Sequence, residues 1–132
     1  MERTFVMIKP TQRDVRLGWI LSKIELQLPD CRMTCIRSKQ LSAKDVEFMY
    51  SHVKDREFYK SMEALYTGAN SILTIWTGPN VVNRMRQFVG PTRPLVPGTL
   101  RHLIANHDVS YDNVIHASDN YESAQRELDY FF

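Results

Sequence analysis

Apolar residues form short, nearly unbroken runs along the chain, and four of these runs predict β-strands. Residues 3–9 contain the unbroken apolar run Phe5–Ile8, which is typical of a strand buried on both faces, and residues 70–76 also have strand character. Residues 31–40 alternate weakly between apolar and polar positions, and residues 113–116 form a shorter run. Pro10 cannot join the middle of a sheet, so it should end the first strand.

Between these runs, apolar residues recur every three or four positions, which predicts amphipathic helices. The clearest stripe covers residues 17–28. The same spacing predicts helices over residues 42–53, 55–66 and 81–89, and a last helix that reaches Phe131. A short helix can start at residues 97–99 and run through Ile104. The order is βαββαβ with added helices, which favours a ferredoxin-like α+β sandwich: an antiparallel sheet with surrounding helices.

Two of the predicted helices begin with capping residues. Ser42 with Asp45 three positions later fits a capping box, and Asp119 with Glu122 fits an acidic variant of it. The last helix carries Glu127 on the same face as its apolar residues, so we expect this carboxylate to point inward.

Composition and charge exclude several classes of protein. The chain has 132 residues, of which 43% are hydrophobic and 24% charged, so we expect one globular domain over residues 1–132. A net charge of +2 is too small to support nonspecific binding of nucleic acid. No specific nucleic-acid partner is predicted either. The longest apolar runs have strand length, and no signal peptide is recognisable, so we expect no membrane span and a cytoplasmic location.

The two cysteines predict neither a disulfide nor a zinc site. Cys31 and Cys35 lie four positions apart, which in an extended segment places both thiols on one face at too great a distance for a bridge. No second cysteine pair is present to complete a zinc site. We therefore interpret both as buried structural thiols.

Any phosphate-binding site in this chain has to use side chains, because neither standard glycine-rich phosphate loop occurs in the sequence. Lysine, arginine and threonine side chains can bind phosphate oxygens without such a loop. The candidates fall at the ends of predicted elements or in loops, where proteins display functional groups. They are Lys9, Arg56, Arg86, Thr92 and Arg101.

His116 differs from the other three histidines because it follows apolar Val114 and Ile115 and precedes the helix that carries Glu127. A carboxylate bound to one ring nitrogen fixes the tautomer and leaves the other nitrogen free as a nucleophile or base. A hydrogen-bonded histidine of the core is the alternative that the spacing leaves open.

A long motif at the end of the chain adds to this interpretation. Residues 113–132 read NVIHASDNYESAQRELDYFF and closely resemble the active-site signature of nucleoside diphosphate kinases. Further matches follow in family order: RTFVMIKP at residues 3–10, Tyr50, KDR at residues 54–56, Phe58, GPT at residues 90–92 and PGTLR at residues 97–101. The resemblance covers essentially the whole chain.

The resemblance implies a ferredoxin-like fold and reversible transfer of a γ-phosphoryl group between nucleotides through a phosphohistidine. By the family pattern His116 is the nucleophile, Glu127 and Ser118 orient its ring, and Lys9 contributes to catalysis. The phosphates and sugar hydroxyls would be held by Lys9, Tyr50, Arg86, Thr92, Arg101 and Asn113, with added charge from Arg56. The base would stack on Phe58 and touch Met62. The implied cofactor is Mg²⁺ carried by the nucleotide phosphates, with no separate metal site on the protein.

Departures from the family pattern bear on specificity and assembly. Only Leu95 and Val96 separate Pro94 from Pro97, where common members have a longer loop, which predicts an altered base or sugar preference. The segment between Arg101 and Asn113 is longer than usual. The family assembles as homo-oligomers, and a hexamer is favoured here. A tetramer or dimer is the alternative, because the chain ends at Phe132, before the C-terminal extension of many members.

Two other functions are weighed against the kinase. A non-catalytic ferredoxin-like nucleotide-binding or interaction protein would be expected to have lost His116, Lys9 or Arg101, and all three are present. An RNA-binding module of this fold would show paired exposed aromatics on its central strands and a clear basic surplus. The strands carry Phe5 and Trp76 without that motif.

Overall fold

A computed structural model describes residues 1–132 and contains four strands. They are β1 (Glu2–Ile8), β2 (Arg32–Lys39), β3 (Ser71–Gly78) and β4 (Ile115–Ala117). The helices are α1 (Leu17–Gln27), α2 (Ala43–Tyr50), α3 (Tyr59–Thr67), α4 (Val81–Val89), α5 (Leu100–Ile104) and α6 (Tyr121–Phe131), with a 3₁₀ turn at Ser51–Val53. None of the helices combines the length and the apolar character that a membrane-spanning segment needs.

The strands form one antiparallel sheet in the order β2-β3-β1-β4, as predicted for a ferredoxin-like α+β sandwich. β1 lies in the interior of the sheet, paired over its whole length with β3 and over three residues with β4. The register places Met7 opposite His116 and Ile8 opposite Ile115. The end of β1, which leads into Lys9, therefore lies beside the strand that carries His116.

The two faces of the sheet bury separate apolar layers, because successive side chains of a strand point to opposite faces. Val6 and Ile8 pack with α1, α4 and α5 on one face. Phe5 and Met7 pack with α2, α3 and α6 on the other. The rings of Phe5 and His116 are 5.9 Å apart, so the histidine shares the face covered by α6.

The cysteine prediction is wrong about the shared face. A bulge interrupts the β2–β3 register between Met33 and Cys35, and an extra residue in one strand reverses the facing of the side chains that follow. Cys31 is buried in one apolar layer, whereas Cys35 is half-buried against the other. Both thiols are free, and the prediction that both are buried holds for Cys31 but is wrong for Cys35.

Several element boundaries differ from the predictions: for example, the α-helix predicted over residues 42–53 ends at Tyr50, and the one predicted over residues 97–104 begins at Leu100. The helix predicted from residue 55 begins at Tyr59, because the residues before it form successive tight turns. The last strand begins at Ile115, since Val114 has a φ of 71°, which ends extended structure on its N-terminal side. Asn120, and not Asp119, caps α6 by accepting a hydrogen bond from the backbone N–H of Ser123 at 2.8 Å. The capping box of Ser42 and Asp45 is present as predicted.

Candidate active site

β4 and α6 bring His116, Glu127 and Ser118 together. His116 Nε2 lies 2.7 Å from Glu127 Oε1, and Ser118 Oγ donates to the same oxygen at 2.8 Å. Glu127 is only 3% exposed, so its charged carboxylate is stabilised by these two hydrogen bonds rather than by water. A carboxylate only accepts hydrogen bonds, which places the proton of the ring on Nε2 and leaves a lone pair on Nδ1.

Electrostatics keeps the His116 ring neutral. Burial lowers its pKa, because the charged ring would lose its hydration, and the Glu127 carboxylate opposes this shift. Lys9 and Arg101 lower the pKa of His116 further through their positive charge. Near neutral pH the free nitrogen is therefore unprotonated, which nucleophilic attack requires.

Lys9 lies at the end of β1 and is 2% exposed. Its ammonium group donates to Asn113 Oδ1 at 2.6 Å, Tyr50 Oη at 3.0 Å and Tyr66 Oη at 3.2 Å. None of these partners is charged. Burial lowers the pKa of Lys9 well below its usual range, and Arg101 lowers it further. A buried cation without an ion-pair partner favours the binding of an anion.

Arg101 is a second buried cation whose hydrogen-bond partners are all neutral. Its guanidinium donates to the backbone oxygen of Ile115 at 2.7 and 3.0 Å, to that of Gly90 at 3.0 Å and to Thr92 Oγ1 at 3.2 Å. Burial lowers its pKa to about 10, and the charge of Arg86 adds to this shift. Arg86 is partly exposed, also donates to the Gly90 oxygen and pairs with Asp119 at 3.1 Å.

Beside Lys9 opens a cleft of about 250 Å³ that is lined mainly by apolar side chains. Phe58, Met62 and Tyr111 form part of its wall. The rings of Phe58 and Tyr111 are nearly parallel, with an interplanar angle of 12° and centroids 6.0 Å apart. The lining combines these apolar side chains with polar ones that include Asn113 and Thr92, as a flat apolar ligand with a polar substituent would require.

The structure brings most of the site residues predicted from the sequence into this region. His116, Glu127 and Ser118 form one hydrogen-bonded group, and Lys9, Asn113 and Tyr50 form a second. Thr92, Arg86 and Arg101 form a third group that converges on the Gly90 segment. Phe58 and Met62 line the cleft. Arg56 is the exception: its side chain is exposed and makes no hydrogen bond or ion pair.

The prediction from sequence missed Tyr66, Tyr111 and Asp112. Tyr66 is 1% exposed and donates its hydroxyl hydrogen to the backbone oxygen of Tyr111 while accepting from Lys9. Asp112 is fully buried and accepts from Thr11 Oγ1 at 2.6 Å and from the backbone N–H of Gln12 at 3.0 Å. Tyr66 lies four positions after Met62 in the same helix, and this spacing is a signal that could have placed it near the cleft.

Comparison with known proteins agrees with the geometry. A protein-family model described as "Nucleoside diphosphate kinase" matches residues 2–132. The nucleoside diphosphate kinase of Symbiobacterium thermophilum is 36% identical over 136 residues, covering 100% of this chain and 87% of the relative. That of Thermus thermophilus is 35% identical over 135 residues, covering 100% and 96%.

A solved structure gives the same result. The nucleoside diphosphate kinase of Halobacterium salinarum in complex with CDP superposes with a TM-score of 0.84 at 28% identity, covering 99% of this chain and 87% of that one. Since the family model spans nearly every residue, the chain belongs to the nucleoside diphosphate kinase family, a family of phosphotransferases.

Proposed function

We propose that this chain transfers the γ-phosphoryl group of a nucleoside triphosphate to a nucleoside diphosphate by a ping-pong mechanism in which His116 carries the group. The observation that supports this most strongly is a neutral histidine beside two buried cations. His116 is oriented by Glu127, and its pKa responds to the charges of Lys9 and Arg101. That arrangement suits a nucleophile that attacks a negatively charged phosphoryl group.

In the first half-reaction, the lone pair on His116 Nδ1 forms a bond to the γ-phosphorus. The bond from that phosphorus to the bridging oxygen breaks, and the nucleoside diphosphate leaves with the electron pair. The ring gains positive character as the bond forms, and Glu127 stabilises it through the Nε2–H hydrogen bond. The second half-reaction reverses these steps, with an oxygen of a different nucleoside diphosphate as the acceptor.

Lys9 and Arg101 would bind the phosphates during transfer, together with Thr92 and Arg86. Phosphoryl transfer depends mainly on positioning and on neutralising charge, and these side chains supply fixed positive charge at the site. Ser118 holds the Glu127 carboxylate in place. Arg56, which is exposed, would contribute charge near the phosphates from the rim of the cleft.

The cofactor in this proposal is Mg²⁺ bound to the nucleotide phosphates. The side chains proposed to bind the phosphates are cationic or neutral, and the nearby carboxylates of Glu127 and Asp119 pair with His116 and Arg86. No group of three or more histidine, cysteine, aspartate or glutamate side chains is close enough to hold a metal ion. The donor set therefore fits phosphate oxygens that carry the ion. When bound there, Mg²⁺ neutralises charge on the transferred group.

The nucleoside would occupy the cleft beside Lys9. Phe58 offers an aromatic face for the base and Met62 an apolar contact. Tyr50 and Asn113, which bind Lys9, would contact the sugar hydroxyls or the phosphates. A base held by stacking is recognised by its π-face, which every nucleobase has, so several nucleotides should serve as substrates.

We also propose that the chain works as a homo-oligomer, with a hexamer favoured and a tetramer or dimer as alternatives. Large apolar side chains are exposed on α1 and on the edge strand β2, where Trp19, Leu26 and Ile36 are 43%, 78% and 50% exposed. Contact with another copy of the chain would remove these apolar side chains from water. Light scattering coupled to size-exclusion chromatography distinguishes the three states. The cytoplasmic location stays a prediction.

Initial-rate kinetics tests the proposed reaction. ATP and a deoxynucleoside diphosphate are varied together, and a ping-pong mechanism gives parallel lines in double-reciprocal plots. Intersecting lines would contradict the covalent intermediate. Binding of CDP without any transfer would favour the non-catalytic alternative. A variant with Glu122→Gln, an exposed residue of α6, serves as the control for handling and purity.

A further inference from the structure

The wall of the cleft opposite Phe58 is itself aromatic. Tyr111 is half-buried, and its ring lies nearly parallel to that of Phe58 with centroids 6.0 Å apart. Both rings line the cleft that reaches Asn113 and so adjoins Lys9. Tyr111 lies in the segment between α5 and β4, and Phe58 is the residue that precedes α3. The cleft thus has two flat aromatic faces from separate parts of the chain.

The backbone that carries Tyr111 is tightly held. The Tyr66 hydroxyl donates to the Tyr111 carbonyl oxygen, and the neighbouring Asp112 is anchored by Thr11 and Gln12. These contacts fix the main chain at the Tyr111 carbonyl and at the residue that follows it. Its ring keeps two side-chain torsions, so it can change position relative to Phe58 while the loop stays in place.

The spacing of the two rings determines whether a nucleotide base can fit between them. Stacked carbon atoms are in best contact at about 3.5 Å, so a flat base between two rings needs about 7 Å between them. The ring centroids are 6.0 Å apart, so the gap between the two ring planes is no wider than that and leaves no room for a base. A rotation of the Tyr111 side chain that widens this gap to about 7 Å would admit one.

We propose that the nucleotide base enters between Phe58 and Tyr111 and stacks on both rings, which makes Tyr111 a residue that sets base affinity. This inference rests on the proposed function, because it takes the nucleotide as the occupant of the cleft. Tyr66 bonds both Lys9 and the Tyr111 carbonyl, so one side chain aligns the base-binding ring with the phosphate-binding cation. Stacking on two faces favours the larger purine bases over pyrimidines.

The test is a comparison of Tyr111→Ala with Tyr111→Phe. A base stacked on an aromatic side chain contributes about 5- to 100-fold in affinity, and the contact between the two rings that it replaces is worth about 2- to 10-fold. We expect Tyr111→Ala to raise KM for GDP and ADP by about 5- to 10-fold, and for CDP and UDP by less, with kcat within about twofold. Tyr111→Phe keeps the ring and should keep the wild-type KM.

Two further measurements separate stacking from a structural role. Inorganic tripolyphosphate has no base, so its inhibition constant should be the same in wild type and Tyr111→Ala. Tyr111→Leu keeps an apolar side chain without a ring, and it should raise KM like alanine even if the alanine variant folds poorly. Tyr121→Ala removes a tyrosine ring that is 54% exposed at the start of α6, and it should change none of these constants.

Two outcomes overturn the inference while wild-type transfer is intact. An unchanged KM in Tyr111→Ala and Tyr111→Leu would show that the base does not stack on this ring. A lower KM in both would show that the ring only obstructs the cleft. Wild-type protein that makes no transfer would instead overturn the proposed function.

Discussion

Replacing Glu127 with glutamine tests whether this side chain activates His116. The substitution keeps the shape and leaves an oxygen that can accept from His116 and Ser118, whose donor atoms lie 2.7 and 2.8 Å from Oε1. It removes the charge that makes the histidine bond strong. A hydrogen bond to a charged group contributes about 1.5–3 kcal/mol and a neutral one about 0.5–1.5 kcal/mol. The difference of about 1–1.5 kcal/mol corresponds to a rate about tenfold lower.

The assay is rapid-quench measurement of phosphoenzyme formation with ATP and Mg²⁺ over a range of ATP concentrations and pH values. The maximal rate should fall about tenfold, while the half-saturating ATP concentration stays within about twofold. Burial lowers the pKa of His116 and the Glu127 carboxylate opposes that shift, so the neutral variant has a still lower pKa. Because the neutral ring reacts, the acidic limb of the rate profile should move to lower pH.

Glu122→Gln makes the same chemical change at an exposed position of the same helix and should leave rate and profile unchanged. A variant of Glu127 whose ATP binding collapsed, with the rate per bound nucleotide unaltered, would refute the orienting role. A shift of the acidic limb to higher pH would refute the electrostatic argument.

Two further predictions concern Lys9 and Gly90. Lys9→Met should lower kcat about 100-fold or more, because it removes a phosphate-binding charge. The free energy of unfolding should stay within about 2 kcal/mol of the wild-type value, because the lost cation is buried without an ion-pair partner. Turnover and urea unfolding measure the two effects, and a globally unfolded variant would contradict the expected stability. Gly90→Ala should lower the free energy of unfolding by about 2–4 kcal/mol, since φ is +85° and the new Cβ would lie 2.5 Å from Thr99 Cβ. Gly98→Ala should lower it by only about 1 kcal/mol, because φ is +91° there but the space around the new Cβ is open. Equal losses of stability in the two glycine variants would refute the steric part.

The order of elements was predictable because hydrophobic periodicity differs sharply between strands and helices. The apolar run ending at Lys9 gave the central strand, and the three- and four-residue spacing gave α1 and α4. The pairing of His116 with Glu127 was also predictable, because Glu127 shares a helix face with Ala124 and Leu128, and all three are buried.

Features that depend on contacts distant in sequence were not predictable. The bulge after Met33, which puts Cys31 and Cys35 in different apolar layers, is defined by pairing with β3. The positive φ of Val114 is unfavourable for a branched side chain and persists only through its surroundings. Tyr66 reaches Lys9 across 57 positions of sequence, a contact that no local pattern reports.

The most direct test of the central claim is the mass of the intact protein after brief incubation with ATP and Mg²⁺. We predict one added phosphoryl group that is acid-labile, is located at His116 by fragmentation, and disappears when a nucleoside diphosphate is added. His116→Ala protein with a native circular dichroism spectrum should gain no mass. A wild-type protein that transfers phosphate without a phosphoenzyme, or a His116→Ala variant that still forms one, would contradict the account.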